Sequence, residues 1–250
     1  MVYFVGAGPG APDLITVRAR EILRQAHTVV YAGSLISTAL LKETPPGCQL
    51  FNSATMTLEE VLDRLCEAEG PNRIVVRLHS GDPSLYGAIR EQLDALKQQG
   101  LPYAIVPGVS SFNAAAAALE IEYTLPGVSQ TVILSRMQGR TPVPERENIR
   151  SLASHGATMV LFLSTGMLTE LCAELIKGGY PPDTPGALVY KASWPDERII
   201  RGTLSSLPGL GKEAGITSTA LVIVGYCLSD NYQLSRLYAA DFSHSFRQAP

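Results

Sequence analysis

The stretch that most constrains the fold is residues 73–87, where an apolar, β-branched run ends in a loop containing glycine and proline. Residues 74–78 have the nearly continuous apolar pattern of a strand that is buried on both faces, as in a parallel sheet. Gly81 can adopt backbone angles closed to other residues, and Pro83 disfavours the helical region for Asp82. The Asp82 carboxylate is therefore predicted to lie in an extended turn at the carboxyl end of a strand, where open α/β sheets bind their ligands.

The residues after this turn predict a helix that begins near Ser84. Apolar residues recur at helical spacing from Leu85 to Leu96, and Ser84 is expected to cap the helix. Together with the preceding strand, this helix completes a βα unit, with Asp82 in the loop between the strand and the helix. A simpler interpretation is that Ser80, Asp82 and Ser84 only cap the helix and bind nothing.

Composition and charge exclude several classes of protein. With 250 residues and 46% hydrophobic content, the chain can form one large domain or two of ordinary size. No apolar run approaches the roughly 20 residues that span a bilayer, and the chain opens in a strand-like segment, so we expect no membrane partner and a cytoplasmic location. The net charge of −3, without a long Lys/Arg block, argues against a nucleic-acid partner. The widely spaced cysteines predict buried free thiols rather than disulfides or a metal site: Cys48, Cys66, Cys172 and Cys227.

The first predicted strand leads into the loop GAGPGAPDLIT at residues 6–16, which loosely matches the dinucleotide-binding pattern G-x-G-x-x-G/A. That pattern needs a helix N-terminus that opens directly onto a pyrophosphate. Pro9 and Pro12 remove two backbone donors here, and the predicted strand at 28–31 lacks the acidic residue that would bind a ribose. A nucleotide-binding dehydrogenase or regulatory module is therefore only an alternative.

The rest of the pattern indicates two domains. A turn cluster at 124–130 predicts an N-terminal α/β domain at 1–124 and a C-terminal α/β domain with a mixed sheet at 125–250. In the segment PGVSSFNAAAAAL, Ser110 or Ser111 is expected to cap an alanine-rich helix that backbone or ligand can approach closely. The other predicted strands cover 2–5, 28–31, 49–52, 103–106, 131–135, 159–163, 187–190, 198–204 and 219–226, and the other predicted helices cover 16–26, 35–42, 58–68 and 168–177.

Six motifs, in order along the whole chain, resemble those of the tetrapyrrole methylases. They are GAGPGAPDLIT at 6–16, SGDPSLYG at 80–87, PGVSSF at 107–112, TMVLFLS at 158–164, YKASWPDE at 190–197 and SRLYAADFSHSFR at 235–247. Within that family, the segments YAGSL, GRTPVP and ASWPDE and the C-terminal tail are most similar to the precorrin-4 and cobalt-precorrin-4 C11-methyltransferases of cobalamin biosynthesis.

The resemblance implies two α/β domains with an S-adenosylmethionine cleft between them, which is the tetrapyrrole methylase fold and not that of a Rossmann methyltransferase. It further implies a tetrapyrrole substrate, S-adenosylhomocysteine as product and a homodimer. Matching positions imply a cofactor site made of Pro9, Ser80, Gly81, Asp82, Leu85, Tyr86, Ser110, Ser111, Leu163, Ala192 and Ala220. No acid or base is assigned, because a sulfonium methyl is already electrophilic and its transfer mainly needs orientation.

Substrate recognition is predicted from charge. The segment 136–150 has four arginines among fifteen residues, and arginine outnumbers lysine fifteen to five in the chain. Because a precorrin carries several carboxylate arms and guanidinium groups pair with carboxylates in bidentate geometry, we hypothesise that Arg136 and Arg140 bind these arms. The alternatives are an ordinary polar connection, a different precorrin as substrate, or an RNA substrate, for which the expected basic surface is missing.

Overall fold

The structure, a computed structural model, describes residues 1–67 and 70–248 and divides into two compact units. The first unit contains Met1–Ala115 together with Lys191–Glu197, and the second contains Ala116–Tyr190 together with the described residues from Arg198 onward. The predicted domains, 1–124 and 125–250, differ from these units in two respects. The units change before residue 124, and the loop Lys191–Glu197 belongs to the first unit.

The first unit is built on a five-stranded parallel sheet with strand order β3-β2-β4-β1-β5. Its strands are β1 (Val2–Gly6), β2 (Thr28–Tyr31), β3 (Gln49–Asn52), β4 (Val75–His79) and β5 (Tyr103–Val106), and its helices are α1 (Val17–Leu23), α2 (Thr38–Leu41), α3 (Leu58–Glu67), α4 (Arg90–Gln98) and α5 (Ser111–Leu119), which continues into the second unit. Because β4 and β5 both pair with β1 in parallel, the loops that follow these three strands leave the same edge of the sheet.

The predicted burial of the central strand on both faces is confirmed. All five residues of β4 are buried. Val76 and Leu78 pack in one apolar cluster with Leu23 of α1, whereas Val75 packs in a second cluster with Leu65 of α3. Each such side chain contributes about 1.5–3 kcal/mol to folding when fully buried, so the sheet provides a rigid support for its loops.

The second unit has a mixed sheet, as predicted, with strand order β6-β7-β10-β8-β9. Strands β6 and β7 pair in parallel, and the remaining pairs are antiparallel. The elements are β6 (Val132–Arg136), α6 (Ile149–Ala153), β7 (Thr158–Phe162), α7 (Leu168–Lys177), β8 (Pro185–Tyr190), β9 (Arg198–Thr203), α8 (Leu207–Glu213) and β10 (Ala220–Val224). Helices α6 and α8 lack a clear sequence signal, because α6 has only 5 residues and α8 contains one proline and two glycines.

The prediction that a helix begins at Ser84 is wrong. Helix α4 begins at Arg90, and the residues before it form an irregular loop. Tyr86 and Ala88 have left-handed backbone, with φ of 55° and 47°, and such residues interrupt a right-handed helix. The helical spacing is therefore real only from Ile89 onward.

The cysteines are free thiols, but their burial is only partly as predicted. Cys172 and Cys227 are buried, whereas Cys48 and Cys66 are partly exposed. Burial raises the pKa of Cys172 to about 11, so this thiol is un-ionised near neutral pH.

Within the described parts of the chain, no helix is both long enough and apolar enough to cross a membrane.

Candidate functional site

Three loops meet beyond the carboxyl ends of β1, β4 and β5. We call them the first loop (residues 6–16), the central loop (80–89) and the third loop (107–110). Gly8 and Gly81 exchange two main-chain hydrogen bonds, with N···O distances of 3.2 Å and 2.8 Å. The Gly108 N–H donates to the Asp82 carboxylate at 2.8 Å. All three loops are thereby joined into one junction within the first unit.

The junction depends on glycine, because its backbones are too close for side chains. A Cβ atom on Gly108 would lie 2.2 Å from the Gly81 carbonyl oxygen and 2.8 Å from the Gly6 Cα. A Cβ atom on Gly6 would lie 2.6 Å from the Gly108 Cα. Gly81 itself has φ of +61°, a conformation that glycine adopts without strain. The floor of this edge of the sheet is consequently bare backbone.

Asp82 connects two of these loops through both of its carboxylate oxygens. Oδ2 accepts from the Gly108 N–H, and Oδ1 accepts from the Ser84 N–H at 2.8 Å and from the Ser84 hydroxyl. Partial burial raises the pKa of Asp82, but these hydrogen bonds outweigh it and hold the pKa below its usual value of 3.8. Asp82 is therefore ionised near neutral pH and holds the loops in place, and it does not cap α4.

The other predicted residues of this edge lie beside the junction. Ser110, which is buried, immediately precedes α5, and its carbonyl accepts from the Asn113 N–H at 3.1 Å. A Cβ atom on Gly81 would lie 3.6 Å from both the Ser110 Cα and the Ser111 nitrogen. Ser80 and Leu85 are partly exposed, and Tyr86 is 45% exposed. Pro9, Ser80, Gly81, Asp82, Leu85, Tyr86, Ser110 and Ser111 thus belong to the three loops or to the start of α5.

Ala192 lies in the loop Lys191–Glu197, which we call the tryptophan loop and which is part of the first unit. Ala192 is buried, and its neighbours contact the first loop. The Trp194 indole N–H donates to the Pro9 carbonyl at 3.0 Å, and Ser193 Oγ accepts from the Ala11 N–H at 3.0 Å. These contacts explain why Ala192 lies with the first unit although it was predicted in the C-terminal domain.

In the second unit, Leu163 and Ala220 belong to neighbouring segments. Leu163 follows β7 and is 69% exposed, and Ala220 is the first residue of β10. Thr165 Oγ1 donates to the Ala220 carbonyl at 2.8 Å, and buried Ser164 accepts from the Met137 N–H at 2.8 Å. Ser164 and Thr165 therefore fix the turn that presents Leu163.

Backbone strain concentrates at the predicted positions in both units. Five of the eight non-glycine residues that the structure describes with positive φ lie at or beside these positions: Tyr86, Leu163, Lys191, Ser193 and Thr219. A non-glycine residue in this region costs about 1–3 kcal/mol, and such residues persist mainly at functional sites. The sequence patterns did not predict this strain. Its occurrence at or beside the predicted positions therefore supports them independently of the motifs.

Leu163 allows a direct test of this strained turn, since the resemblance described above implies methionine at the matching position of many relatives. Leu163→Met nearly conserves volume and leaves Cβ unbranched, so we expect the methyl-transfer activity that the resemblance implies to stay within about tenfold of that of the wild type. Leu163→Val is the matched contrast, because a β-branched residue is strongly disfavoured at the φ of 52° found here. Steady-state assays of both variants measure the effect. A loss of activity of about a hundredfold or more in the methionine variant would contradict the placement of Leu163 in the site.

The two predicted substrate arginines differ in their surroundings. The Arg136 guanidinium donates to three carbonyls of its own connection, those of Met137 at 3.3 Å, Thr141 at 3.2 Å and Pro142 at 2.7 Å. Arg140 is exposed, and within residues 1–67 and 70–248 its side chain has no hydrogen bond or ion pair. Arg136 therefore shapes the connection that carries Arg140. A count of charges in the sequence could not distinguish the roles of these two arginines.

The titratable groups near the junction do not favour acid–base chemistry. His79, the last residue of β4, is buried, and burial together with the nearby Arg77 charge lowers its pKa to about 3. It is therefore neutral near pH 7. Arg77 itself is held by the Gln92 side chain at 3.1 Å and the Val30 carbonyl at 3.2 Å. No cluster of three or more His, Cys, Asp or Glu side chains that could bind a metal ion is found in the described residues.

Comparison with known proteins shows similarity along nearly the whole chain. The family model for tetrapyrrole (corrin/porphyrin) methylases matches residues 1–208. The cobalt-precorrin-4 C(11)-methyltransferase of Methanocaldococcus jannaschii is 49% identical over 249 residues, which cover 99% of this chain and 96% of that protein. The precorrin-4 C(11)-methyltransferase of Mycobacterium tuberculosis is 46% identical over 240 residues, or 95% of this chain and 96% of that protein.

Solved structures agree with the sequence relatives. The X-ray structure of a cobalt precorrin-4 methyltransferase described as a cobalamin biosynthetic enzyme has a TM-score of 0.89 and 46% identity, covering 91% of this chain and 95% of that one. A uroporphyrin-III C-methyltransferase from Thermus thermophilus, solved with S-adenosylhomocysteine, has a TM-score of 0.76 and 28% identity, covering 91% of this chain and 93% of that one.

Proposed function

The chain belongs to the tetrapyrrole (corrin/porphyrin) methylases, and we propose that it methylates precorrin-4, or its cobalt-bound form, at C11 in cobalamin biosynthesis. The methyl donor is S-adenosylmethionine, and the products are S-adenosylhomocysteine and precorrin-5 or its cobalt form. The single observation that carries this proposal is the near full-length similarity to C11-methyltransferases in a chain in which the three motifs at 6–16, 80–87 and 107–112 meet in one junction of backbone atoms.

The residues of the junction fit a cofactor that is bound through main-chain groups. Gly6, Gly81 and Gly108 leave an edge without side chains, at the place where parallel sheets bind ligands. The bound cofactor supplies an electrophilic sulfonium methyl with a neutral leaving group. The chain must then orient the reactants, and orientation of this kind provides an effective molarity on the order of 10⁵ to 10⁸ M. Ionised Asp82 contributes by holding the loops rather than by moving a proton.

We propose that the cofactor contacts the residues named from the family motifs: Pro9, Ser80, Gly81, Asp82, Leu85, Tyr86, Ser110, Ser111 and Ala192 in the first unit, and Leu163 and Ala220 in the second. Their support is the junction in the first unit and the strained backbone at or beside several of these positions. We propose further that the enzyme works in the cytoplasm, as expected from its sequence pattern, and that it is a homodimer, as the family resemblance implies. Light scattering of the purified protein tests the dimer.

For the tetrapyrrole, we propose that Arg140 binds a carboxylate arm and that Arg136 holds the connection in position. Arg140→Gln should raise the KM for the tetrapyrrole by about twofold to fivefold at low salt, the range of an exposed ion pair, and less at high salt. Affinity for S-adenosylhomocysteine should stay unchanged. Arg146→Gln is the matched control, because it removes the same charge from an exposed position of the same connection. An equal change in KM in both variants would mean that the tetrapyrrole responds to the overall positive charge of the connection and not to Arg140 in particular.

The reaction itself is tested by incubating the purified protein with S-adenosylmethionine and enzymatically made precorrin-4, with and without cobalt, and weighing the products. We expect at least one of the two forms to gain the mass of one methyl group less that of the proton released on its transfer. Calorimetry with S-adenosylhomocysteine and NAD, titrated separately, distinguishes this function from that of a dehydrogenase. Micromolar binding of NAD without binding of S-adenosylhomocysteine would refute the proposal.

A further inference from the structure

The tryptophan loop supports the first loop from outside the main sheet. The chain leaves β8 at Tyr190 and enters β9 at Arg198, and the residues between them are part of the first unit. Two hydrogen bonds connect the loops, one from the Trp194 indole to the Pro9 carbonyl and one from the Ala11 N–H to Ser193 Oγ, each at 3.0 Å. These bonds flank Gly10 on both sides, so they fix the two peptide groups around it.

The indole also occupies the space where a side chain at position 10 would lie. A Cβ atom on Gly10 would be 2.0 Å from Trp194 Nε1 and 2.1 Å from its Cδ1. Trp194 therefore packs directly on the Gly10 backbone and is hydrogen-bonded to the preceding residue. The first loop is intrinsically soft here, because it is irregular between β1 and the short helix at residues 12–14 and contains glycine at positions 8 and 10.

The tryptophan loop is itself held in a defined shape. The Ser193 N–H donates to the Glu197 carboxylate at 2.6 Å, and the Lys191 ammonium donates to Asp196 at 2.6 Å. The same ammonium lies 5.6 Å from the centre of the Trp194 ring, in cation–π range. Lys191 and Ser193 have positive φ, so these contacts maintain a strained backbone that presents the indole.

We propose that Trp194 is a positioning residue for S-adenosylmethionine binding: it sets the shape of the Gly8–Pro9–Gly10 segment, on which the cofactor rests. This inference depends on the proposed function, because it assumes that the first loop binds the cofactor. Trp194 acts through the Pro9 peptide and Gly10 and is not assigned contact with the reacting atoms. Its loss should weaken cofactor binding and leave tetrapyrrole binding unchanged.

The first test compares Trp194→Phe with wild type by calorimetry with S-adenosylhomocysteine. Phenylalanine keeps an aromatic ring but cannot donate to Pro9, so we expect affinity to fall about fivefold, as for the loss of one hydrogen bond. The KM for S-adenosylmethionine should rise by a similar factor, and the KM for the tetrapyrrole should not change. Tyr238→Phe is the control, since it removes a polar group from an aromatic ring that is 81% exposed in the C-terminal tail.

A double-mutant cycle then tests the contact with Gly10. Gly10→Ala should weaken S-adenosylhomocysteine binding roughly tenfold, because the new Cβ displaces the indole. In a Trp194→Ala background the same change should have a smaller effect, since the space is already empty and only the backbone strain of an alanine at φ +159° remains, and the two changes are therefore coupled. Independent effects would show that Gly10 and Trp194 do not act through the same contact.

The chain contains one tryptophan, so fluorescence excited selectively at the indole reports on the surroundings of Trp194. We expect S-adenosylhomocysteine to shift the emission of the wild-type protein with the same midpoint as in calorimetry. The inference is overturned if Trp194→Phe melts at a lower temperature but binds S-adenosylhomocysteine as tightly as wild type. If wild-type protein fails to bind S-adenosylhomocysteine at all, the proposed function fails instead, and the two failures are distinguishable.

Discussion

Gly108→Ala is expected to lower the rate of methyl transfer by about a hundredfold, the largest effect we predict for a single methyl group. The new Cβ would lie 2.2 Å from the Gly81 carbonyl oxygen and 2.8 Å from the Gly6 Cα. Both are backbone atoms of the other two loops, so relief requires the junction to open rather than a side chain to rotate. Turnover with saturating tetrapyrrole and varied S-adenosylmethionine measures this effect.

The fold should survive this change, because overpacking typically costs about 1–3 kcal/mol and a domain is stable by about 5–15 kcal/mol. Urea unfolding checks this point. Gly209→Ala is the matched control: a Cβ there meets nothing within 4 Å, and the residue lies in α8 of the second unit. Wild-type activity in folded Gly108→Ala protein would mean that the junction does not bind the cofactor.

Asp82→Ala is expected to weaken S-adenosylhomocysteine binding by about tenfold or more. The change removes the acceptor of the Gly108 N–H and the acceptor of Ser84, so the central and third loops separate. Each lost hydrogen bond is worth about 1 kcal/mol, and an N–H left without a partner costs more. Calorimetry measures the affinity, and the melting temperature should fall only modestly because the apolar clusters of the sheet remain intact.

Asp82→Asn adds a pH test of the same contacts. Its amide has one oxygen and one NH₂ group, so it cannot accept on both sides as the carboxylate does. Because the folded pKa of Asp82 is lowered, its stabilising effect is fully present above its unfolded value near 4 and is lost as the pH falls through the folded pKa. The stability difference between wild type and Asp82→Asn should therefore shrink in acid. A stability difference that stays constant with pH would contradict the role of the Asp82 carboxylate in holding the loops. An affinity of Asp82→Ala for S-adenosylhomocysteine equal to that of the wild type would contradict the placement of Asp82 in the site.

Local sequence features predicted the framework of this site. The β-branched run of β4, Gly81 and Pro83 placed Asp82 at the carboxyl end of a buried strand, and the structure confirms that position. The strands at 28–31, 49–52 and 103–106 and the helix at 168–177 were predicted to the residue. These features depend on neighbours in the sequence, which is why a single sequence is sufficient for them.

The contacts that the sequence did not predict join distant residues. Trp194 and Pro9 are 185 positions apart, and nothing local indicates that an indole covers Gly10. Gly108 reveals its role only through the backbones of Gly6 and Gly81. The charge pattern likewise could not show that Arg136 is occupied by carbonyls of its own connection. The helix expected at Ser84 failed because positive φ at Tyr86 is a property of the folded loop and not of residue type.

The most direct test of the central claim locates the transferred methyl group. The purified protein is supplied with precorrin-4, in the metal-free and cobalt forms, and with S-adenosylmethionine labelled with a heavy carbon isotope in its methyl group. Nuclear magnetic resonance of the isolated product then identifies the labelled carbon. We predict a single labelled methyl at C11, whereas a label at another ring carbon, or no transfer to either form by protein that binds S-adenosylhomocysteine, would contradict the assignment.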